Sequence, residues 1–508
     1  MKSSLLRKVT LYIFALLNWA LAISVVSAQV NGSIDTSFGS GGIATNTTVT
    51  GAVYSLVGLG DGKVLGAGDC TTSFGSGVCL YRWTSAGVAD STFGINGVAY
   101  VLALSVGASG FPKLVVRPDG RIVVAANCGT PAAICVVQTN ANGTAFDPSF
   151  AGGSFTTLTH PNVNGNIRVQ VVDLELQPDG KLLVGGTCST SSAGTSYCVV
   201  RLLPSAQIDN SFGTSPHQWS VTTPGLGDAL LKLTLLPDGR YLASGNCGSS
   251  AATSAICVLR YFGNGGFQSS FTVDRANRFD GVRDVRAFGS FVTLSGFSQD
   301  SSLGDIQVLS ARRELYAPFG AVDTSYGGTY PTSGLGGGVN IDSSNDGFPY
   351  PSRIMSDGGI VYAGYCNSTI SLLCLARLAP NGTLDTSFGV GGRYEYAGYS
   401  FPGFGVTNGA LAEAADGKIL LGGGCAGTRP CVYRFNDVVQ SAPKCSLDID
   451  GDGVVNATTD GLILLRAMLG FTGTSALSNA VAPGAARTTW GQVRDYLFDQ
   501  CRMAVPVQ

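Results

Sequence analysis

The chain has 508 residues, a formal net charge of −2 and only 13% charged residues, with 71 glycines. Near-neutrality removes the electrostatic case for a nucleic-acid partner. A charged share about half the usual one, together with abundant Gly, points to a turn-rich β protein rather than a helical or disordered one.

Met1–Ala28 reads as a secretion signal. Lys2, Arg7 and Lys8 form its charged start, and Leu11–Val26 its apolar stretch, interrupted by Asn18 and Trp19. Val26-Ser27-Ala28 is a small-residue cleavage site without the Cys of a lipid anchor. No later segment is long and apolar enough to span a membrane. The expectation is a secreted protein, extracellular or held at the cell surface by other means.

Residues 29–437 repeat one pattern, clearest from Leu174 to Gly213. Leu174–Gln177 is short and mostly apolar, and Pro178-Asp179-Gly180 is a turn. Leu182-Leu183-Val184 reads as a second strand ended by Gly185-Gly186, with Asp-Gly supplying the left-handed turn positions. Val199-Val200 is a third strand, and Gln207–Phe212 turns into a fourth. The apolar runs do not alternate with polar residues, which suits strands covered on both faces.

The Asp-Gly turn returns at Asp61, Asp119, Asp179, Asp238, Asp357 and Asp416, with gaps of 58, 60, 59, 119 and 59 residues. The double gap holds a degenerate copy in which Phe288-Gly289-Ser290 replaces Asp-Gly, so there are seven hairpins. A second landmark, Asp-x-Ser/Thr-Phe/Tyr-Gly, occurs at Asp35, Asp90, Asp147, Asp209, Asp323 and Asp385, the Asp147 copy lacking the final Gly and Gln268–Phe271 being a weakened copy. The first landmark precedes the first hairpin, and the last hairpin, Lys418–Arg434, has none after it. A closed ring explains that phase: Ile34–Thr48 supplies the strand missing from the last blade. The predicted fold is all-β, a seven-bladed β-propeller closed by its N-terminal strand. An open solenoid would need capping repeats and leaves the phase unexplained.

These hairpins and Asp-Thr-Ser-Phe-Gly turns resemble the delta-60 repeat, a bacterial β-propeller repeat of unknown function, over roughly residues 30–437. The resemblance implies the propeller fold and brings no catalytic residues with it.

Twelve of the 14 cysteines fall in close pairs, one per hairpin: Cys70/Cys79, Cys128/Cys135, Cys188/Cys198, Cys247/Cys257, Cys366/Cys374 and Cys425/Cys431. The degenerate copy has Ser298 and Gln307 at the two equivalent places, so both cysteines are missing together. That joint loss predicts a disulfide within each hairpin, in keeping with export. An Arg recurs three residues after the second Cys, at Arg82, Arg201, Arg260, Arg377 and Arg434. It is either a structural partner of the Asp in the following turn or a cationic ring around the channel. Gln138 and Ser310 stand in its place in two copies.

Catalysis has few candidates. His160 and His217 are the two histidines, each beside a Pro, and Glu175, Glu314, Glu395 and Glu413 are the four Glu. Two stretches break the repeat. Gly334–Tyr350 is a Gly/Ser/Asp-rich insertion, and the stretch after it holds Tyr394, Tyr396, Tyr399, Phe401 and Phe404. Those aromatics either stack on a sugar or fill gaps between blades.

After a linker at 438–444 the pattern changes. Asp448, Asp450, Asp452 and Asn456 place oxygen ligands at positions 1, 3, 5 and 9 of a calcium loop, with the Val454 carbonyl at 7 and Gly453 at the bend. The closing acid belongs at 12, where Thr459 stands; the expectation is that a one-residue bulge brings Asp460 to a Ca²⁺ ion. Residues 445–501 resemble a dockerin-type module, with a tail at 502–508. The second half, Ser475–Asp499, has a helix but no acidic loop, which argues against cohesin binding. Cys445 and Cys501 bracket the module and are expected to tie its ends.

The functional expectation is a secreted binding or adhesion protein, taking a polysaccharide or protein partner on a propeller face. The alternative is a secreted polysaccharide-degrading enzyme, a glycoside hydrolase or lyase, whose carboxylates meet across blades.

Overall fold

The computed structural model describes residues 31–73, 75–103, 111–129, 133–159, 168–190, 194–213, 219–222, 229–250, 253–273, 278–300, 306–316, 318–323, 326–327, 349–365, 373–396, 410–425, 428–437 and 446–499. The signal segment, both histidines, Cys366, Cys445, Cys501 and most of the Gly334–Tyr350 insertion lie outside them.

Seven antiparallel blades surround a channel. Blade one is ordered Thr50–Gly58, Val64–Thr72, Gly75–Trp83, Val98–Ala103 from the axis outward, and blades two, three, four and six repeat that order. Among the described residues the fifth blade has three strands, Arg278–Phe288, Phe291–Asp300 and Ile306–Glu314, rather than four. Its outer landmark is the one whose Ser/Thr position falls outside the described residues.

Blade seven takes three strands from the C-terminal end of the propeller and one from the N-terminal end. Ile43–Thr45 pairs antiparallel with Arg429–Phe435, with Ile43 opposite Tyr433 and Thr45 opposite Cys431. Ile34 adds a bridge to Phe435. The ring is therefore closed by hydrogen bonds between the two ends, and blade seven is left no open edge where closure occurs.

The Asp-Gly turns differ in detail from expectation. Only the glycine is left-handed: Gly62, Gly120, Gly180, Gly239, Gly358 and Gly417 all have φ between +82° and +87°. The Asp instead caps the turn, its Oδ1 accepting the N–H two residues on, as from Lys63, Lys181 and Arg240 at 3.0–3.1 Å. Gly180 N donates to Gln177 O at 2.9 Å and Gln177 N to Lys181 O at 2.8 Å. This is a type I turn followed by a left-handed Gly rather than a two-residue hairpin.

The second strand of blade three also runs longer than expected, through Gly185-Gly186 to Thr190. A Cβ on Gly185 would sit 2.9 Å from Leu230 and Leu233 of blade four, and one on the equivalent Gly422 2.9 Å from Val53 and Leu56 of blade one. Here glycine is a close-approach residue inside a strand, not a strand terminator. The middle strands Ile122–Cys128 and Ala133–Thr139 are buried throughout. The core clusters of the propeller join neighbouring blades; one packs Val123, Ile134 and Val136 against Leu174, Val184 and Val200.

Five disulfides lie within the hairpins, Cys70–Cys79, Cys128–Cys135, Cys188–Cys198, Cys247–Cys257 and Cys425–Cys431. Cys374 is also disulfide-bonded. Each closes a loop of only 6–10 residues. Among the described residues no helix is long and apolar enough to cross a membrane.

Residues 446–499 carry the three helices Asp460–Met468, Gly473–Leu477 and Trp490–Asp499. Ile449, Ile463, Ala467, Trp490, Val493 and Leu497 form their shared core. The Arg494 guanidinium lies 5.0 Å from the ring centre of Tyr316 on blade five.

Candidate ligand site at the channel mouth and the acidic loop

The recurring arginines are structural pins, not a ring facing the channel. Arg82 Nε donates to Asp90 at 2.8 Å, Arg201 Nε to Asp209 at 2.9 Å, and Arg434 Nε to Asp35 at 2.7 Å. The other oxygen of each Asp accepts the N–H and hydroxyl of the Ser or Thr two residues on, which is why the landmark reads Asp-x-Ser/Thr. Each guanidinium also crosses to the next blade: Arg82 Nη1 reaches Ala141 O at 2.7 Å and Arg434 Nη1 reaches Ser85 O at 3.0 Å. It stacks as well on the landmark aromatic, Arg82 over Phe93 at 4.5 Å and Arg434 over Phe38 at 4.4 Å. Where the recurring Arg is missing, another takes over the Asp. Arg121 reaches Asp147 at 2.6 Å and Arg312 reaches Asp323 at 2.5 Å.

These carboxylates set the acid limit of the fold. Burial pushes Asp35, Asp90, Asp147 and Asp209 upward. Hydrogen bonds from Ser, Thr and cationic side chains outweigh it and hold all four well below the ordinary 3.8. With folded values depressed, their stabilisation is complete above about pH 4 and is lost as pH falls below it. The urea midpoint is expected to hold from pH 7 to pH 5 and to drop steeply between pH 4 and pH 2; a flat profile across that range would contradict the pins.

The channel presents a different set. Glu175, Thr234, Arg286 and Arg353 occupy the same position on the innermost strands of blades three to six, with Asp173, Lys232 and Asp284 two residues before in the first three. Two cavities of about 320 and 370 Å³ open here. Arg286 and Arg353 line both; Glu175 and Lys232 border the first, Glu413 and Ser356 the second. Because the second cavity joins Leu56–Gly58 of blade one to Arg286 of blade five, it lies on the axis of the ring.

The acids of this ring have donors. Lys232 Nζ lies 2.7 Å from Asp173 and 3.2 Å from Glu175. Asp173 also accepts the Leu233 N–H at 2.8 Å, and Asp284 the Ile354 N–H at 3.0 Å, so each carboxylate ties its blade to the next blade's inner edge. Glu413 accepts the Ser356 N–H at 2.8 Å and the Ser356 hydroxyl. Burial pushes the Glu175 carboxyl up, and Asp173 adds to this against the pull of Lys232. Burial opposes charge on Lys232, but Asp173, Glu175 and Asp284 outweigh it and hold it above the ordinary lysine value.

Sequence reading missed Arg286 and Arg353. The signal was present: aligning the seven hairpins on their turns puts Val57, Val115, Glu175, Thr234, Arg286, Arg353 and Ala412 in one column, charged only in copies three, five and six.

Of the expected aromatic platform, Tyr394 and Tyr396 pack edge-on against Phe435 at 6.1 and 6.5 Å, filling the gap between blades six and seven. Tyr399, Phe401 and Phe404 lie outside the described residues.

In the acidic loop, oxygens of Asp448, Asp450 and Asp460 lie within 4.8 Å of one another. Asp450 and Asp460 are 0% and 1% exposed. Asp460 accepts the N–H groups of Ile449, Asp450 and Asn456 at 2.5–3.0 Å, folding the first residue of its helix back onto the loop. Burial pushes Asp460 up, but these bonds outweigh it and lower its pKa. Asp452 and Asn456, half-buried and exposed, accept the local N–H groups of Val454 and Thr458. The nearby Arg487 donates to the Ile449 and Asp448 carbonyls at 2.7 and 2.6 Å, not to the acids. Three converging carboxylates, two of them buried, fit a hard cation held by oxygen.

A family model described as "Domain of unknown function (DUF5122) beta-propeller" matches residues 177–212 and 356–388. Those are the hairpin-to-landmark stretches of blades three and six. No curated protein matches the chain. Among solved structures, one of a protein of unknown function from Dyadobacter fermentans is similar at 13% identity, covering 64% of this chain and 95% of that one, TM-score 0.36. An ulvan lyase of polysaccharide lyase family PL25 is similar at 6% identity, covering 80% and 95%, TM-score 0.41. A subtype N10 neuraminidase-like protein of A/little yellow-shouldered bat/Guatemala is similar at 11% identity, covering 80% and 99%, TM-score 0.39.

Proposed function

We propose that the chain is an exported binding protein. Its propeller takes a small polar ligand or polymer segment at the channel mouth, and residues 446–499 form a calcium-dependent tail module. The observation that carries the first part is the pair of cavities that share Arg286 and Arg353, the second of them on the axis, lined by polar and charged side chains from several blades. Unlike the Arg–Asp pins, these side chains also border open space large enough for a sugar unit. The disulfides support export to an oxidising compartment.

The calcium reading rests on Asp448, Asp450 and Asp460, with Asp452, Asn456 and the Val454 carbonyl as the remaining donors. The single acidic loop supports a structural module over a cohesin-binding one.

The test is a panel of bacterial, plant and host polysaccharides, read for retention of the mature protein and for reducing-end release in the same wells. Binding without release, abolished by Thr234→Trp, is the expected result; no binding to any polymer would overturn the reading. One observation favours the enzymatic alternative: Glu175 is a cavity carboxyl pushed toward the protonated form by burial. Release of reducing ends that disappears in Glu175→Gln would make that alternative the correct one.

A further inference from the structure

We infer that the channel mouth selects acidic sugars, with Arg286 and Arg353 clamping the anionic group; this rests on the channel-mouth reading above. The four acids of the ring are engaged. Asp173 and Glu175 neutralise Lys232, Glu413 is taken by Ser356, and Asp284 accepts two backbone N–H groups, from Val285 and Ile354. Arg353 is only weakly compensated. Its nearest acid, Asp284, is 3.8 Å away and already bonded to the backbone. Its Nε is buried with no hydrogen-bond acceptor.

The side chain as a whole is 30% exposed where it lines the two cavities, so its charge is open to an anionic oxygen. Arg286, on the adjacent blade, lines the same two cavities. Each guanidinium is a planar fork of five N–H donors, and even with one donor engaged it suits the oxygens of a carboxylate or a sulfate ester. The rest of the wall suits a sugar ring. Leu235, Ala287 and Phe288 supply partly exposed apolar surface. Thr234 and Ser356, whose hydroxyls donate to Val285 O and Glu413, offer acceptor oxygens. Phe288 belongs to the degenerate fifth copy, where it ends the innermost strand just before the Gly289-Ser290 turn. The copy that departs most from the repeat thus contributes both an arginine and an aromatic to the site.

Uronates and sulfated sugars share this chemistry, and the experiment separates them. The full mature protein is titrated with glucuronate, glucose 6-sulfate and glucose by calorimetry at 20 and 300 mM salt. At least one acidic sugar is expected to bind tenfold or more tighter than glucose, with the difference shrinking at high salt. Arg353→Gln and Arg286→Gln, each checked for an unchanged melting curve, should remove that preference. If either variant fails to fold, the salt dependence and the glucose comparison on the unaltered protein still decide. Equal binding of glucose and both acidic sugars would overturn the clamp while leaving the channel-mouth site standing. No binding of any of the three would overturn both.

Discussion

Replacing Asp35 by Ala is expected to lower the stability of the propeller by about 3–5 kcal/mol, the cost of stripping one partner from a buried ion pair. Asp35 is fully buried and carries the ring closure. Its carboxylate accepts Arg434 Nε and Lys418 Nζ, each at 2.7 Å, and the Ser37 N–H and hydroxyl at 3.1 and 2.6 Å. Its own N–H donates to Arg434 O at 2.8 Å. Arg434 and Lys418 would be left facing a void, and Arg434 would lose the partner that aims it at the Ser85 carbonyl of blade one. The same removal at Asp90 or Asp209 weakens one blade; at Asp35 it loosens the joint between the two ends of the ring. Urea unfolding measures the loss, and hydrogen exchange should show the amides of Ile43–Thr45 and Cys431–Tyr433 opening first. Deleting residues 31–45 should go further, since the Arg429–Phe435 strand then becomes an unpaired edge that invites association between chains. A D35A protein within 1 kcal/mol of the parent would show that strand pairing alone closes the ring.

Chelation is expected to melt residues 446–499 while leaving the propeller transition in place. On the calcium reading, the ion balances three carboxylates whose oxygens lie within 4.8 Å. At a hundredfold excess over its dissociation constant, calcium would stabilise the module by about 2.7 kcal/mol. Removing it leaves Asp450 and Asp460 buried beside Asp448 with Arg487 turned to the carbonyls. Asp450→Ala should abolish the calcium dependence. It would also remove the acceptor of the Ala482 N–H, 2.8 Å away, which links the loop to the chain beyond the second helix. Calorimetry in calcium and in EDTA reads both transitions. Equal shifts in the two would show that the module is not independent, and no shift in either would exclude a calcium role.

The fold was legible because its signals are short-range. A left-handed Gly after Asp, a Ser or Thr two residues after Asp and a Cys pair across one hairpin are each recorded within about ten residues, then repeated. Repetition turned weak local signals into a count of seven and exposed the phase that closes the ring. The absence of both cysteines from the fifth copy predicted the pairing in the others, and five such bonds are present.

What lay beyond the sequence were contacts between copies. That the recurring Arg pins its own landmark and the next blade's turn needs the geometry of packed blades. So does the takeover of Asp147 by Arg121 and of Asp323 by Arg312. The charged channel depends on this most. Lys232 meets Glu175 from 57 residues away and Asp173 from 59, and only ring closure sets Arg286 and Arg353 around one axis. Secondary structure, blade number and ring closure were thus determined by the sequence itself, because each is written in local turns or in their phase. The site was decided by tertiary structure, because it is built from residues about one repeat apart whose only common feature is that they reach the same channel.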